Sequence, residues 1–450
     1  MKTRTFLKLA GAVGAEAILS PVARLGAKNK VPEKLKNWAG NIEYGTERLH
    51  AAKSVPEVQD YLKKTARLKV LGTRHCFNTI ADSQDAFLSL AGIAGAPVLD
   101  EAAKTVTVEA NLTYGRLAPW LEEKGYALHN LASLPHISVA GACSTATHGS
   151  GEKNGNLSTA VSGLEIVKAN GELLRLSRRN DGQTFPGAVV GLGALGAITK
   201  ITLEVQPTFQ ARQWVYENMS MEAVLAHFDQ IEASGYSVSL FTDWRNHNVN
   251  EVWIKDRIGG AKTFAAKPEW FGARLAKRNL HPIAEISAEN CTEQLGLAGP
   301  WHERLPHFRM GFTPSAGKEL QSEFFVPRKL AVDAIAAVER LHDKISPHLL
   351  ITEIRAIAAD DLWLSPCYRQ DSVAIHFTWQ QDWPAVAAVL PEIEKALAPF
   401  QVRPHWGKLF TLDPAVLRSR YAKLPEFVEL AKKYDPQGKF RNEFLNRYVF

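Results

Sequence analysis

Pro135-His136-Ile137-Ser138-Val139-Ala140-Gly141-Ala142-Cys143-Ser144-Thr145-Ala146-Thr147-His148-Gly149-Ser150-Gly151 is the stretch of this 450-residue chain whose reading decides the rest. Its side chains carry little bulk, and glycines and hydroxyls are interleaved through it. Glycine lets backbone N–H groups approach an anion closely, and hydroxyls add further donors. A diphosphate is a natural guest for such a segment. A flexible surface loop could share this composition, yet Ile137, Val139 and Ala140 are apolar, and a solvated linker seldom needs them. No Walker pattern supports a nucleoside-triphosphate fold.

Outward from that loop the chain punctuates itself. The pattern predicts a strand over 48–52 and a capping box at Ser54-Val55-Pro56-Glu57 that opens a helix to about residue 65. A strand over 68–71 then runs into Gly72-Thr73-Arg74-His75. A strand over 105–110 precedes a helix over 114–124 that Gly125 stops. Strands over 162–169 and 172–177 flank Asn170-Gly171, the strongest hairpin signal in the chain. Another alternating strand covers 198–205. Pro207 is a plausible boundary. Beyond it the pattern gives helix 220–234, strand 236–242, helix 328–345, strands 349–357 and 372–379, and helix 383–398. That order suggests an antiparallel sheet with helices on one face. The segment 257–318, rich in Pro, Gly, Trp and His, reads as a long ordered excursion.

Composition narrows the function classes. Apolar residues are 46 % and charged residues 22 %, which excludes disorder and fibrous classes. Cys76, Cys143, Cys291 and Cys367 form no close pair, so neither a disulfide scaffold nor a cysteine-rich zinc module is expected. The formal charge is +6, but residues 1–40 hold eight Lys/Arg against Glu16 and Glu33. The totals of 53 and 47 therefore leave 45 of each sign in the other 410 residues, and no nucleic-acid surface is expected on the body. Lys2, Arg4 and Lys8 precede a short apolar run, and Thr3-Arg4-Thr5-Phe6-Leu7-Lys8 looks like a twin-arginine export signal with its first arginine replaced. Glu16 interrupts the run. Export through this degraded signal, with a weak cleavage site at Leu25-Gly26-Ala27, and a cytoplasmic protein with an uncleaved leader both remain open. No membrane span is expected.

Three further features could carry chemistry. His75 lies in a glycine turn at the C-terminal end of a strand, where ligands collect in α/β folds. Glu353 and Arg355 are two apart in 349–357 and share a face, as do His376 and Thr378 in 372–379. Lys408 follows in Arg403-Pro404-His405-Trp406-Gly407-Lys408. These side chains fit the solvated face of a half-exposed sheet, which needs no function. They fit equally a roofed face, where desolvated charges must pair or touch a ligand. His302, His307 and His405 lack the clustered spacing of a metal site, so no metal is expected.

A resemblance separates these readings. Gly72-Thr73-Arg74-His75-Cys76-Phe77-Asn78, the loop from Ala132 through Gly151, and Gly191-Leu192-Gly193-Ala194-Leu195-Gly196 resemble the vanillyl-alcohol-oxidase, or PCMH-type, FAD-binding flavoprotein family. Asn37-Trp38-Ala39-Gly40-Asn41, Asn290-Cys291-Thr292-Glu293-Gln294, Pro300-Trp301-His302-Glu303-Arg304-Leu305-Pro306-His307-Phe308 and the 403–408 stretch resemble its alditol-oxidising branch. The match runs from about Asn37 to Asn446.

The resemblance implies an α+β chain. A PCMH-type FAD-binding domain of two subdomains over 38–206 would carry an α+β substrate cap over 207–408, an antiparallel sheet covered by helices. Residues 1–36 would be a leader, and 409–450 would complete the site. His75 matches the histidine bonded covalently to the flavin 8α-methyl group, with Val70, Leu71, Gly72, Thr73, Arg74 and Cys76 around it. Cys76 departs from the serine that relatives often carry. Ser133, Ser138, Gly141, Thr145, Ala146, Thr147, His148, Ile198 and His405 match further cofactor positions. Ser133, Glu353, Arg355, Thr378 and Lys408 match the polyol-binding set. The implied reaction is oxidation of the terminal alcohol of an alditol to the aldose, with hydride transfer to flavin N5 and dioxygen reduced to hydrogen peroxide. Lys408, Arg355 and Glu353 would be catalytic, and His376 or a bound water would take the proton. An aldonolactone oxidase or dehydrogenase is the alternative, sharing the flavin loop and the Glu-x-Arg strand. The partners expected are a small polyol and dioxygen, with the chain a monomer or weak oligomer.

Overall fold

The computed structural model describes residues 34–260, 263–311 and 318–450. The leader with its twin-arginine-like signal lies outside the described residues, apart from its last three positions. Local signals place the first elements. The Ser54 hydroxyl accepts from the Glu57 N–H at 3.3 Å and starts the helix Val55–Lys64, which buries Val58 and Leu62. The helix leads into the strand Lys69–Leu71. This strand pairs in parallel with Phe87–Ser89, which pairs in turn with Leu49–Ala51.

A second, antiparallel sheet has the order Val98–Asp100, Thr105–Glu109, Ala197–Glu204, Val161–Val167, Leu173–Ser177. Its last two strands form the hairpin expected at Asn170-Gly171. Gly171 adopts φ 83°, and the Asn170 side chain accepts from the Glu172 N–H at 3.0 Å. Gly191 to Gly196 has a G-x-G-x-x-G spacing, but it ends in the strand Ala197–Glu204 and opens no helix, so it is no Rossmann fingerprint.

The third sheet is large and antiparallel. Its central order is Gln210–Ser220, Asn248–Arg257, Ser237–Thr242, Leu349–Ile357, Ser372–Gln380, Glu319–Pro327. The helices Met221–Glu232, Ala331–Glu339 and Trp383–Leu397 pack on it and on one another. The mixed α+β class and the helix-covered antiparallel sheet are thus as expected. The helix expected over 328–345 is broken: after Glu339 the Leu341 N–H closes back on Val338 O at 2.8 Å, a tighter turn, and a separate short helix spans His342–Ile345. In 257–318 the described residues hold the short strands Glu269–Trp270, Ala273–Leu275 and Gly299–Pro300.

Register decides which side chains meet. Glu323 lies opposite His376, His376 opposite Glu353, and Glu353 opposite Phe241. Four adjacent strands therefore put these residues in one row. The neighbours Phe324, Ile354, Ile375 and Phe377 are buried in the main apolar core.

Candidate active site

One long cleft runs between the His75 turn, the 133–148 loop and this row of strand residues. The His75 turn is fixed from two sides. Arg74 adopts φ 61°, and its carbonyl accepts from the Trp38 N–H at 2.8 Å. Asn37 donates to Cys76 O and Asn41 to Phe77 O. Asn78 donates to both Trp406 O and Lys408 O, which ties the turn to the 405–408 loop. The His75 ring sits 4.4 Å from that of Trp38. Burial, then the nearby Lys408 charge, pushes His75 down to about 3, so its imidazole is neutral.

The 135–148 loop is equally ordered. Tyr114 N–H donates to Ile137 O, Gly115 N–H to Pro135 O, and Val139 N–H to Leu112 O. A methyl group added at Gly141 would stand 2.8 Å from the Ser138 hydroxyl and would have to displace it. Around this end the lining mixes Gly, Ala, Ser and Thr with Lys69, Arg74 and apolar side chains such as Leu71, Leu90 and Ile137; the acids along the cleft are Glu319, Glu323 and Glu353, all from the large sheet. A donor-rich, carboxylate-free trough fits the diphosphate of FAD. The flexible-loop alternative fails.

The sheet face is roofed rather than solvated. Glu353 and Arg355 are each 5 % exposed and Glu323 2 %. Arg355 donates to Glu323 Oε1 at 2.6 Å, and its Nε stands 3.6 Å from Glu353 Oε1. His148 Nδ1 is 2.8 Å from Gly149 O and its Nε2 3.0 Å from Glu323 Oε1. Burial alone would raise both glutamates. His148 and Arg355 outweigh it at Glu323, the Arg355 charge and the hydrogen bond from His307 outweigh it at Glu353, and both carboxyls are held well below the usual range. Lys408 donates to Gln321 Oε1 and lies 4.9 Å over the Phe77 ring, and burial lowers its ammonium from the ordinary value. His405 Nδ1 accepts from the Gly407 N–H at 3.0 Å, which leaves the proton on Nε2, and burial pushes it down to about 3.

The cleft thus brings together His75, Val70, Leu71, Gly72, Thr73, Arg74, Cys76, Ser133, Ser138, Gly141, Thr145, Thr147, His148, Ile198 and His405 with Glu353, Arg355, His376, Thr378 and Lys408. Ala146 is the exception: at φ 56° the backbone turns it under the loop into the apolar core. Sequence reasoning missed Glu323, Gln321 and Lys255, and it took His307 only as a poor metal ligand. Glu319-Leu320-Gln321-Ser322-Glu323 alternates acids and an amide with other residues, the same period-two signal as Glu353 and Arg355.

Comparison with known proteins sets the class first. A family model described as FAD binding domain matches residues 48–177, and one described as D-arabinono-1,4-lactone oxidase matches 314–448. A solvent-stable cholesterol oxidase shares the fold at a TM-score of 0.75, with 15 % identity, covering 92 % of this chain and 97 % of that one. Fold and matches together define an FAD-binding flavoprotein. Over 412 residues the chain is 44 % identical to the alditol oxidase of Streptomyces sp. (strain IKD472 / FERM P-14339), covering 91 % of this chain and 97 % of that protein. It is 26 % identical to the L-gulonolactone oxidase of Mus musculus, over 93 % and 98 % of the two chains. With the L-gulono-1,4-lactone dehydrogenase of Mycobacterium tuberculosis (strain CDC 1551 / Oshkosh) the identity is 25 %, over 92 % and 98 %. The chain belongs to the alditol oxidase family of vanillyl-alcohol-oxidase-type flavoproteins.

Proposed function

We propose that the protein oxidises the terminal primary alcohol of an alditol such as xylitol or sorbitol to the aldose, with dioxygen reduced to hydrogen peroxide. FAD would be bonded through its 8α-methyl group to His75, with Ser138, Gly141, Thr145 and Thr147 along its diphosphate. The observation that carries this reading is the buried polar set at the strand end of the cleft, where Arg355 Nε and His376 Nε2 have no hydrogen-bond partner. Buried polar atoms left unpaired cost about 1–3 kcal/mol each, and a polyhydroxylated neutral guest would satisfy them.

Bound FAD would supply the two-electron acceptor between the alcohol and dioxygen. The chain does the rest. Glu353 accepts from substrate hydroxyls, Arg355 donates, and Ser133 and Thr378 complete the hold. His376, whose Nδ1 is 3.9 Å from Glu353 Oε2, is kept towards its neutral form by burial and takes the hydroxyl proton at Nε2. Lys408 and Arg355 place positive charge beside the developing alkoxide.

The purified protein should stay yellow after acid precipitation, and His75→Ala should leave the denatured polypeptide colourless. Anaerobic xylitol should bleach the flavin, and air should return one peroxide per turnover. The match of 314–448 to a lactone oxidase model supports a second reading, an aldonolactone oxidase or dehydrogenase. Turnover of L-gulono-1,4-lactone with none of xylitol or sorbitol would establish that reading instead.

A further inference from the structure

His307 joins two parts of the site that the chain sequence holds far apart. Its main-chain N–H and that of Phe308 both donate to Ser133 O at 3.2 Å. Its ring Nε2 lies 2.7 Å from Glu353 Oε1. On the far side Lys255 Nζ approaches Leu305 O, Pro306 O at 3.0 Å and His307 Nδ1 at 3.0 Å. All of these side chains are buried.

Counting protons fixes the arrangement. An ammonium has three N–H donors and no acceptor. With two directed at carbonyls, the third falls on Nδ1, which must accept. The proton of the neutral imidazole then sits on Nε2 and is donated to Glu353. The carboxylate, held ionised by Arg355 and His307, demands a donor from the same direction. Both neighbours therefore enforce one tautomer. Burial, then the Lys255 charge, pushes His307 down to about 4, which keeps a single ring proton in play. Phe241 and Trp253 meet the ring edge-on at 5.5 and 5.2 Å and hold its plane.

We propose that Lys255 and His307 are positioning residues for the substrate site: Lys255 locks His307 as the Nε2–H tautomer, and His307 in turn fixes Glu353 and Ser133 at the spacing that receives the polyol. This rests on the reading above that Glu353 and Ser133 meet substrate hydroxyls. With Oε1 occupied by His307, the carboxylate cannot rotate, and Oε2 stays turned toward His376 and the cleft. Without Lys255 the proton can move to Nδ1, which sets a lone pair against the carboxylate and releases it.

Two measurements test this, the first of them independent of substrate. In ¹⁵N NMR of the histidine-labelled holoenzyme at pH 6, below the value of about 7 to which burial pushes Lys255, the signal lost in His307→Gln should show a neutral ring protonated at Nε2. An Nδ1–H ring would overturn the lock. In anaerobic flavin reduction by xylitol, Lys255→Met and His307→Phe should raise the substrate Kd tenfold or more, while the limiting rate falls less than threefold. His307→Gln should recover most of the affinity, since its amide can accept from Lys255 and donate to Glu353. An unchanged Kd in flavin-loaded His307→Phe, or a Gln variant as weak as Phe, would overturn the positioning role. Should Lys255→Met not fold, the Gln and Phe pair decides. A wild type that xylitol fails to reduce defeats only the polyol reading, and the same variants are then compared on L-gulono-1,4-lactone.

Discussion

The two ends of the cleft are built by opposite means. The loop end offers small residues, hydroxyls and backbone N–H groups from a few short contiguous segments, with no carboxylate on them. The strand end packs Glu323, Arg355, His148, Glu353, His307 and Lys255 into one buried chain of contacts drawn from separate elements. A distributed set of neutral donors tolerates loss of any one member. A chain of buried ionic and polar groups does not, because each partner left behind is a desolvated charge or an unpaired polar group. Buried ion pairs are a weak route to stability.

The sharpest way to break this contrast is Glu323→Ala. It strands Arg355 and His148 without their shared carboxylate. We expect a loss of about 3–5 kcal/mol in unfolding free energy, the usual cost of removing one partner of a buried pair. Denaturant melts would show it, and a midpoint equal to wild type would end the argument that the charges are interlocked. Lys408→Ala comes next. If its charge acts on the developing alkoxide, kcat should fall about 10²–10³-fold with a smaller change in KM. A raised KM at constant kcat would make it a binding group.

A carboxyl elsewhere sharpens the contrast because burial outweighs its compensation. Glu232 lies on the helix Met221–Glu232; Oε2 accepts from the Ala356 N–H at 3.3 Å and Oε1 has no partner. Burial pushes it up to about 8. The folded state then holds a proton that the unfolded state releases above about 4.5, so this group's share of stability is full below that pH and is lost as pH rises toward 8. Glu323 and Glu353, held low, behave in the opposite sense: their share is present above the ordinary carboxylate range and is lost as pH falls from there through their lowered values. Glu232→Gln should therefore gain about 2 kcal/mol over wild type at pH 6 and nothing at pH 4. Parallel melting curves across that range would refute it.

The same contrast explains what the sequence could tell. The loop end is contiguous, so Pro135 to Gly151 and Gly72 to Asn78 carried their chemistry in plain view. The hairpin at Asn170-Gly171 and the helix after Ser54 were legible because a turn and a cap are local devices. The strand end is assembled across register. Glu323 meets His376 and Glu353 only because three strands align, and no spacing within one segment reports that. The strands Gln210–Ser220 and Asn248–Arg257 escaped notice for a related reason. Gln213, Glu251, Lys255 and Asp256 are buried in them, and polar residues at core positions erase the apolar alternation by which a strand is recognised.

The smallest effect belongs at the loop end, and its smallness is the point. Ser138 is buried, and its hydroxyl stands where added methyl groups at Gly72 and Gly141 would come within 3.0 and 2.8 Å, so it lies between both walls that would face FAD. It carries no charge, and the same cleft is lined by further hydroxyls, among them those of Thr145 and Thr147. Ser138→Ala therefore removes one hydrogen bond among many, worth about 1 kcal/mol, or roughly fivefold in affinity. Fluorescence titration of FAD into the His75→Ala apoprotein, where binding is reversible, measures it directly. A loss of several hundredfold would mean that the loop leans on one hydroxyl as heavily as the strands lean on Glu323, and the distinction between a distributed and an interlocked end would fall.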